Sequence, residues 1–406
     1  MIKFDFETYR KNIISDDEIR SYDNKLATLN SYFDKHKNLM GWFDVNSLKN
    51  SNLIEDINET SKYIKRNCDV FLVVGIGGSY LGSLSVIEAL VPYFYNDVNK
   101  PEIHFMGTSL SSEYINDLKE LIINKDIIVN FISKSGSTFE TIITYNLVME
   151  MMSSKYEKEE LSKRIIITTE DSENKLFNDA KENNYKLFNI PEDIGGRYSV
   201  CTSAGLLPIA VSGININELI DGSIDSMKSM DNQIKYAVIR DIMRKKGKNV
   251  EVFVVYEPKL YAFTEWIKQL YAESLGKNEG GILPIGMINT RDLHSLGQYI
   301  QEGSRILFET VINIESSSKD IYIKEYEKGL NDINNIASSS TSISHYKVNV
   351  LNNIINLDAL NTYNIGYLLQ FFMVSCVVSA HLQDVNAFDQ EGVSEYKNVM
   401  NQQLIR

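Results

Sequence analysis

The sequence predicts an α/β protein of two tandem doubly wound domains, each with a parallel sheet covered by helices, together with a helical N-terminal arm and a C-terminal helix. Its 406 residues exceed the roughly 150 of a typical domain and leave room for two large cores. Short β-branched runs, apolar on both faces, alternate with helix-length segments, which is typical of buried parallel strands joined by crossover helices. This alternation starts twice, near residues 69 and 250, and so indicates two sheets.

The first part of the chain is predicted to be helical to about residue 65. Apolar side chains recur there at three- and four-residue spacing, for example at Leu26, Leu29 and Phe33. The pattern then changes to strand-like runs, which cover residues 69–74, 103–106, 127–132 and 164–168. We therefore expect a helical arm over residues 1–50 and a first domain over residues 51–190.

A second series of elements begins near residue 250. It predicts a strand over residues 250–256, a helix over 261–275 and a strand over 306–314. We expect the second domain to cover residues 191–385 and a C-terminal helical tail to cover residues 386–406.

Two segments of unusual composition lie near the C-terminal end of the second domain. The serine-rich stretch SSSTSIS, residues 338–344, is expected to be a polar loop or the start of a helix. Residues 367–380 are the most apolar stretch, but at about 14 residues they fall short of the roughly 20 that span a bilayer. We predict a buried core helix there and no membrane segment.

Composition and charge restrict the partners and the chemistry. Lys and Arg number 41 against 54 Asp and Glu, a net charge of −13, which argues against nucleic acid and anionic membranes. The three cysteines form no CxxC pair, so we expect no disulfide framework, no thiolate zinc site and a cytoplasmic location. The first 20 residues show no apolar signal core. Because the five histidines lack metal-ligand spacing, no metal is expected.

A glycine-rich turn follows the first predicted strand, in the segment VVGIGGSYLG over residues 73–82. Glycine lets the backbone approach a ligand closely, and a helix start offers N–H groups to an anion, so this turn predicts a phosphate or carboxylate cradle. It is not a dinucleotide fingerprint, since Tyr80 stands where the third glycine would be, and it lacks the lysine of a P-loop. A turn whose glycines serve packing alone fits the segment about as well.

A hydroxyl-rich segment, ISKSGSTFET over residues 132–141, follows another predicted strand. Several small hydroxyl donors beside a lysine can converge on one phosphate group. The alternative is a helix N-cap, but a cap needs one hydroxyl and residues 133–138 alone have four. Two such turns at the carboxyl ends of strands in one sheet would share a crevice.

Two further motifs supply a cation and a carboxylate. Arg197 in GGRYS can bring its fork of donors to a substrate oxygen, although a surface turn with an ion-pairing arginine is the commoner structure. Gln269 and Glu273 stand one turn apart near the end of an amphipathic helix that Gly276 should cap. A partly buried carboxylate suits a general base, with a solvated glutamate as the alternative.

Two segments in the C-terminal part of the chain contain the remaining candidate site residues. His294 lies in DLHSLGQ, and a lone histidine is more often structural than functional. Gln390 and Lys397 lie in the tail segment FDQEGVSEYK, where a solvated lysine is the default interpretation.

In order and over nearly the whole chain, these six segments resemble the glucose-6-phosphate isomerase (phosphoglucose isomerase) family. The resemblance implies two sugar-isomerase domains and reversible aldose–ketose isomerisation of D-glucose 6-phosphate and D-fructose 6-phosphate, by ring opening and a cis-enediol proton transfer. It also implies a homodimer in which the partner contributes a histidine to each site, with no cofactor. Ser394 stands where the family usually has Glu, and the chain is shorter than the common member, so we expect local differences there.

The resemblance also implies a role for each candidate residue. Glu273 corresponds to the base, Arg197 to the group that stabilises the enediolate, and His294, reaching across the dimer, with Lys397 to the ring-opening pair. The residues implied at the substrate phosphate and in polar support are Gly78, Ser79, Ser133, Lys134, Ser135, Thr138, Gln269 and Gln390. No metal is implied.

Two other functions remain as alternatives. A regulator that binds sugar phosphates through sugar-isomerase domains would keep the hydroxyl-rich loop without needing Glu273, Arg197 or Lys397. A nicotinamide dehydrogenase would use the glycine-rich turn, but Tyr80 breaks its fingerprint.

Overall fold

The computed structural model describes residues 2–49 and 51–404, except the side chains of Ser394 and Asn401. The predicted limits of the arm at Met1 and Asn50, and of the tail at Arg406, lie outside the described residues. The strands are β1 (Lys3–Asp5), β2 (Val70–Val74), β3 (Glu102–Met106), β4 (Ile127–Ile132), β5 (Ile165–Thr169), β6 (Lys186–Asn189), β7 (Val250–Val255), β8 (Leu283–Ile288), β9 (Leu307–Ser316), β10 (Tyr322–Ile323), β11 (Lys328–Gly329) and β12 (Asn352–Ala359).

The helices cover the faces of two sheets and form the arm and the tail. They are α1 (Asp16–Arg20), α2 (Asp23–Leu26), α3 (Leu29–His36), α4 (Val45–Lys49), α5 (Asn52–Asn67), α6 (Leu81–Leu90), α7 (Tyr95–Val98), α8 (Ser112–Ile122), α9 (Phe139–Lys155), α10 (Lys158–Arg164), α11 (Lys175–Asn183), α12 (Ser203–Val211), α13 (Ile216–Ser226), α14 (Asp231–Lys245), α15 (Tyr261–Leu275), α16 (Gly297–Glu302), α17 (Leu330–Lys347), α18 (Thr362–Gln383) and α19 (Ser394–Leu404). Short 3₁₀ helices include Gly77–Ser79, Gly196–Cys201, Arg291–His294 and Glu391–Val393.

The first sheet has the strand order β3-β2-β4-β5-β6, and all its neighbouring strands are parallel. The chain starts in β2, moves outward to β3, and then returns to build the other half of the sheet from β4. The winding direction therefore reverses between β2 and β4, and a crevice opens at the carboxyl ends of strands at such a point.

The second sheet repeats this winding in the order β1-β12-β9-β7-β8. Strands β7, β8, β9 and β12 are parallel, and the direction reverses between β7 and β9. The edge strand β1 pairs antiparallel with β12, so the arm contains a strand that the periodicity did not predict. Three residues are too few to show a period, and β1 is held by tertiary contacts such as the stacking of Phe4 on Phe371.

The largest hydrophobic core lies between the two sheets and includes residues of α5, α6, α12, α13, α15 and α18. Strand β2 shows how each sheet faces two cores: Phe71 and Val73 point into the central core, while Leu72 and Val74 point into a second core on the outer face. Burial on both faces explains why β2, β4 and β5 are mostly apolar and easy to predict. The edge strand β6 is largely exposed and was not predicted.

Helix α18 contains the apolar segment 367–380. Among the described residues, it is the one helix whose length and composition would allow it to cross a membrane, and 94% of its most apolar window is buried inside the fold. The predicted core helix is confirmed. The interpretation of residues 338–344 as a loop or helix start is wrong, because they lie inside α17, where Ser338 donates to Asn313 Oδ1 and Thr341 to the carbonyl of Ala337.

Candidate active site

The two predicted anion turns lie side by side at the carboxyl edge of the first sheet. The glycine-rich turn leaves β2 and the hydroxyl-rich segment leaves β4, the two strands that flank the winding reversal. They approach closely, since a Cβ on Gly75 would lie 3.0 Å from the carbonyl oxygen of Ile132. The two turns therefore adjoin each other at this edge, as the sequence predicts.

The hydroxyl-rich segment is arranged as a donor loop and not as a helix cap. Thr138 is the N-cap residue of α9, but its side chain makes no capping hydrogen bond; its Oγ1 lies 3.3 Å from Ser133 Oγ. Ser135 Oγ accepts from the N–H and the hydroxyl of Ser137 at 3.3 and 3.1 Å. Within the described chain, the backbone N–H groups of Lys134 and Ser135 donate to no other protein group. These groups can bind an anion without first breaking a cap.

Neighbouring segments brace this loop. Gly136 adopts a φ of 60°, and a Cβ there would lie 1.9 Å from Asn174 Oδ1, so only glycine fits. The ammonium of Lys134 donates to the carbonyl of Glu192 at 2.7 Å, and this contact ties the loop to the segment that leads into Arg197.

Arg197 is buried at 4% exposure on the short helix Gly196–Cys201, so the interpretation as a surface turn is wrong. A Cβ on Gly78 would lie 2.1 Å from the carbonyl of Gly196, so glycine lets the first turn pack directly on this helix. The guanidinium lies 3.2 Å (Nη1 to Oε1) from Glu273 and donates through Nε to Ser274 Oγ at 2.7 Å. It also donates to Gln390 Oε1 at 2.8 Å and to two carbonyls of the tail, those of Ala387 and Asp389, at 2.5 and 3.0 Å.

Glu273 is held from two sides near the end of α15. Arg197 lies beside its Oε1, while Gln269 Nε2 donates to its Oε2 at 3.1 Å. Gln269 Nε2 also lies 3.0 Å from where a Cβ on Gly77 would be, so this pair adjoins the glycine-rich turn. Among the described residues nothing donates to the buried Gln269 Oε1. With a side chain 25% exposed, Glu273 is oriented yet open to a ligand.

Two clefts contain the remaining tail residues. Glu273 and Gln390 line a cleft of about 610 Å³ between the end of α15 and the tail. Lys397, which is exposed on α19, lines a second cleft of about 680 Å³ together with Ser135 and Thr138 of the hydroxyl loop. The described tail thus passes Glu273 first and then reaches the loop.

His294 lies apart from this group in the single chain. It is exposed at the end of the short helix Arg291–His294, which follows β8, and it lines neither of the two clefts. In the described parts of the chain, His, Cys, Asp and Glu side chains form no group of three or more that could hold a metal ion.

Sequence reasoning missed two kinds of contact at the site. Tyr198 donates towards the Ala387 carbonyl at 3.4 Å, and burial raises the pKa of its phenol well above its ordinary value, so it stays a neutral donor. The tail carbonyls that Arg197 binds are backbone groups, for which the residue type gives no signal.

The chain matches known proteins over most of its length. A model of the phosphoglucose isomerase family matches residues 44–323. A Fusobacterium nucleatum protein named glucose-6-phosphate isomerase is 43% identical and covers 96% of this chain and 92% of its own; one from Clostridioides difficile is 42% identical, with 89% and 86% covered. A solved structure of a hypothetical protein from Thermus thermophilus matches all of both chains with a TM-score of 0.89 at 23% identity. That of a Chlamydia trachomatis glucose-6-phosphate isomerase reaches 0.77 at 16% identity and covers 97% of this chain and 92% of its own.

Proposed function

The chain belongs to the phosphoglucose isomerase family, and from that premise we propose how its residues perform the reaction. The enzyme interconverts D-glucose 6-phosphate and D-fructose 6-phosphate. A regulator without catalysis is not favoured, because the relatives that align with nearly the whole chain are isomerases. The observation that carries the assignment of residues is the carboxylate of Glu273 fixed between Arg197 and Gln269.

The substrate phosphate binds in the crevice at the carboxyl edge of the first sheet. Hydroxyls and N–H groups of the two turns donate to it, and a helix start adds a favourable dipole. The donors are the side chains of Ser79, Ser133, Ser135 and Thr138 and the backbone N–H groups of Gly78 and Lys134. The location of Lys397 beside the same loop supports a binding mode in which the tail covers the substrate.

Glu273 transfers the proton between the two carbons. It removes the C2 proton of open-chain glucose 6-phosphate; the C2–H electron pair forms the C1=C2 double bond, and the C1 carbonyl becomes an enediolate oxygen. Returning the proton to C1, while the proton of the C2 hydroxyl passes to the C1 oxygen, gives the ketose. Arg197, held rigidly in a buried site, stabilises the negative charge that develops on the oxygens. Gln269 and Gln390 orient the two charged side chains.

A direct test follows the proton. In deuterated water the wild-type enzyme should place deuterium at C1 of fructose 6-phosphate, whereas Glu273→Gln should show neither exchange nor turnover above about 0.1% of wild type while still binding a substrate analogue. Glu265→Gln is the matched control, because Glu265 lies on the same helix with nearly the same exposure, 26% against 25%. Normal exchange in Glu273→Gln would contradict the assignment of the base.

We also propose a homodimer in which His294 from one subunit joins Lys397 of the other in opening the sugar ring. The exposure of His294 and its distance from the two clefts fit a residue that acts on another chain. Ile321, Tyr322 and Tyr326 of the nearby β10–β11 segment are exposed apolar side chains, as a subunit interface requires. Ile321 lines the same cleft as Arg291, which begins the helix of His294.

Mixing two defective variants tests this arrangement. His294→Ala and Glu273→Gln subunits should each be defective alone, but a mixed dimer has one site with both residues intact. Random pairing should therefore restore about a quarter of wild-type activity. If His294 acted within its own chain, no site of the mixed dimer would be complete and no activity would return. His294→Ala should also slow a cyclic substrate more than an open-chain analogue, because only the former needs ring opening.

The division of the chain and its location are part of the proposal. Residues 51–190 form one sugar-isomerase domain and residues 191–385 the other, with the arm and tail as appendages; the two sheets, each wound in the same way, support this division. The cysteines Cys68, Cys201 and Cys376 are free and buried, which fits a reducing cytoplasm. No metal takes part, so activity should be unchanged by a chelator.

A further inference from the structure

The turn formed by residues 386–390 joins α18 to the tail and directs several oxygen atoms towards the site. The carbonyls of Asn386, Ala387 and Asp389 all accept hydrogen bonds from cationic side chains. Within the turn, Asn386 Nδ2 donates to Asp389 Oδ2 at 2.7 Å, and Asn386 Oδ1 accepts from the Phe388 N–H at 3.0 Å. The turn is therefore a compact group of acceptors that needs positive charge beside it.

Lys277 supplies part of that charge. It follows the C-cap Gly276 of α15, and its side chain is 17% exposed. Its ammonium donates to the carbonyl of Asn386, to the carbonyl of Asp389 at 3.0 Å and to the Asp389 carboxylate. An ammonium has three N–H donors, and this one turn accepts all three, so Lys277 has none left for a substrate.

The Asp389 carbonyl lies between two cations. It accepts from Lys277 Nζ and from Arg197 Nη2, each at 3.0 Å. The next residue, Gln390, accepts from Nη1 of Arg197 at 2.8 Å, and the same nitrogen lies 3.2 Å from Glu273. A continuous set of contacts thus leads from Lys277 through the turn to the carboxylate of Glu273.

The same turn determines where the rest of the tail begins. The short helix Glu391–Val393 and then α19 follow it directly, and α19 carries Lys397 over the hydroxyl loop. We propose that Lys277 is a positioning residue, which holds the 386–390 turn so that Gln390 meets Arg197 and Lys397 reaches the substrate. This inference rests on the proposed function of Lys397 in ring opening.

The experiment compares Lys277→Met, which keeps the length of the stem but removes charge and donors, with Lys277→Arg, which keeps both. Lys125→Met is the matched control, because Lys125 is also partly buried (30% exposed) and paired, with Glu102, but lies before β4 at the opposite edge of the first sheet. Lys277→Met should lower kcat about tenfold or more with KM changed less than about threefold, and Lys277→Arg should recover most of the loss. Lys125→Met should turn over normally.

Two further readouts separate positioning from general stability. Trypsin should cleave at Lys397 faster in Lys277→Met than in wild type or Lys125→Met, because the tail is no longer held. If Lys277 acts through the tail, the loss in Lys277→Met combined with Lys397→Met should be smaller than the product of the two single losses. Should Lys277→Met not fold, Asp389→Asn removes the same charge pair from the other side and is judged by the same measurements.

The outcomes decide between the two proposals. Wild-type kcat in Lys277→Met, losses that multiply fully in the double variant, or no recovery in Lys277→Arg would overturn the positioning role. Normal turnover in Lys397→Met alone would instead contradict the ring-opening role of Lys397. The tail-cleavage rates and the recovery in Lys277→Arg would then still decide whether Lys277 holds the turn.

Discussion

The two sheets are wound in the same way, but different groups lie at their carboxyl edges. At the first edge, the segment before α9 leaves hydroxyls and N–H groups open to an anion. At the second edge, Asp320 Oδ1 accepts from the N–H of Asn331 at 2.9 Å, at the start of α17. A Cβ on Gly329 would lie 2.0 Å from Asp320 Oδ2, so the carboxylate is packed against the helix start. The same topology therefore occurs twice, and at the second edge a carboxylate of the chain already lies at the helix start.

The second sheet contributes to the site from its other end. A helix that follows a strand of a parallel sheet runs back towards the amino ends of the strands. The last turns of α15, after β7, and of α18, after β12, therefore lie away from the carboxyl edge of the second sheet. Glu273 is near the end of α15, and Gln390 follows α18. The proposed catalytic group therefore combines the carboxyl edge of one sheet with helix ends beneath the other, joined by Arg197.

The largest effect on activity should come from changing Arg197, which joins the two parts of the site. Arg197→Lys keeps the charge but loses the planar fork that reaches Glu273, Gln390 and the tail carbonyls at once. We expect kcat/KM to fall about a hundredfold to a thousandfold. Arg164→Lys is the control, since Arg164 is also largely buried and paired, with Glu160, but precedes β5 at the amino edge of the first sheet. A loss of less than about tenfold in Arg197→Lys would mean that the fork geometry is not needed.

A smaller effect, on KM, should distinguish the carboxyl edges of the two sheets. Ser133→Ala removes a donor from the first edge and should raise KM about tenfold, because a hydrogen bond to a charged group contributes roughly 1.5–3 kcal/mol. Ser317→Ala removes a hydroxyl that lines the cleft of about 600 Å³ at the second edge and should leave KM unchanged. Inhibition by inorganic phosphate should weaken in parallel with the KM change. Equal KM values in both variants would contradict phosphate binding at the first edge.

Strands with an apolar β-branched run were predictable, whereas strands interrupted by proline, glycine or asparagine were not. Strand β4 covers the residues that were predicted, 127–132. A short apolar run between two turns is typical of a strand that is buried on both faces. Strand β8 contains Pro284 and Gly286, and β12 contains three asparagines, so local sequence argues against both. They are strands because neighbours on the sheet supply the hydrogen bonds.

The grouping of side chains was predictable where they lie in motifs, as for Glu273 and Arg197, which the structure brings together. It was not predictable where the contact is a backbone carbonyl or depends on how distant segments meet. Nothing in the residue type of Ala387 indicates that its carbonyl accepts from Arg197. Nor does the sequence show that Lys277 is satisfied by the 386–390 turn, since the two segments meet only in the folded chain.

The smallest effect tests whether Asp320 occupies the anion position of the second edge. Asp320→Ala removes the acceptor for the Asn331 N–H and should lower the free energy of unfolding by about 1 kcal/mol, as loss of a helix cap does. Turnover should not change, because within the described chain Asp320 accepts only from the backbone N–H groups of Ile321 and Asn331 and from none of the residues placed in the reaction. Asp332→Ala, which removes an exposed carboxylate one residue beyond Asn331, is the control for charge alone.

Stabilisation by inorganic phosphate then tests whether an anion can bind where the Asp320 carboxylate lies. Both wild type and Asp320→Ala bind phosphate at the first edge, so the difference between them isolates the second. If the carboxylate stands in for an anion, phosphate at constant ionic strength should stabilise Asp320→Ala more than wild type against urea, because it can replace the lost charge at the start of α17. Equal stabilisation of both proteins would mean that Asp320 is an ordinary cap, and that the second edge lost its anion position through the shape of the β9–α17 connection instead.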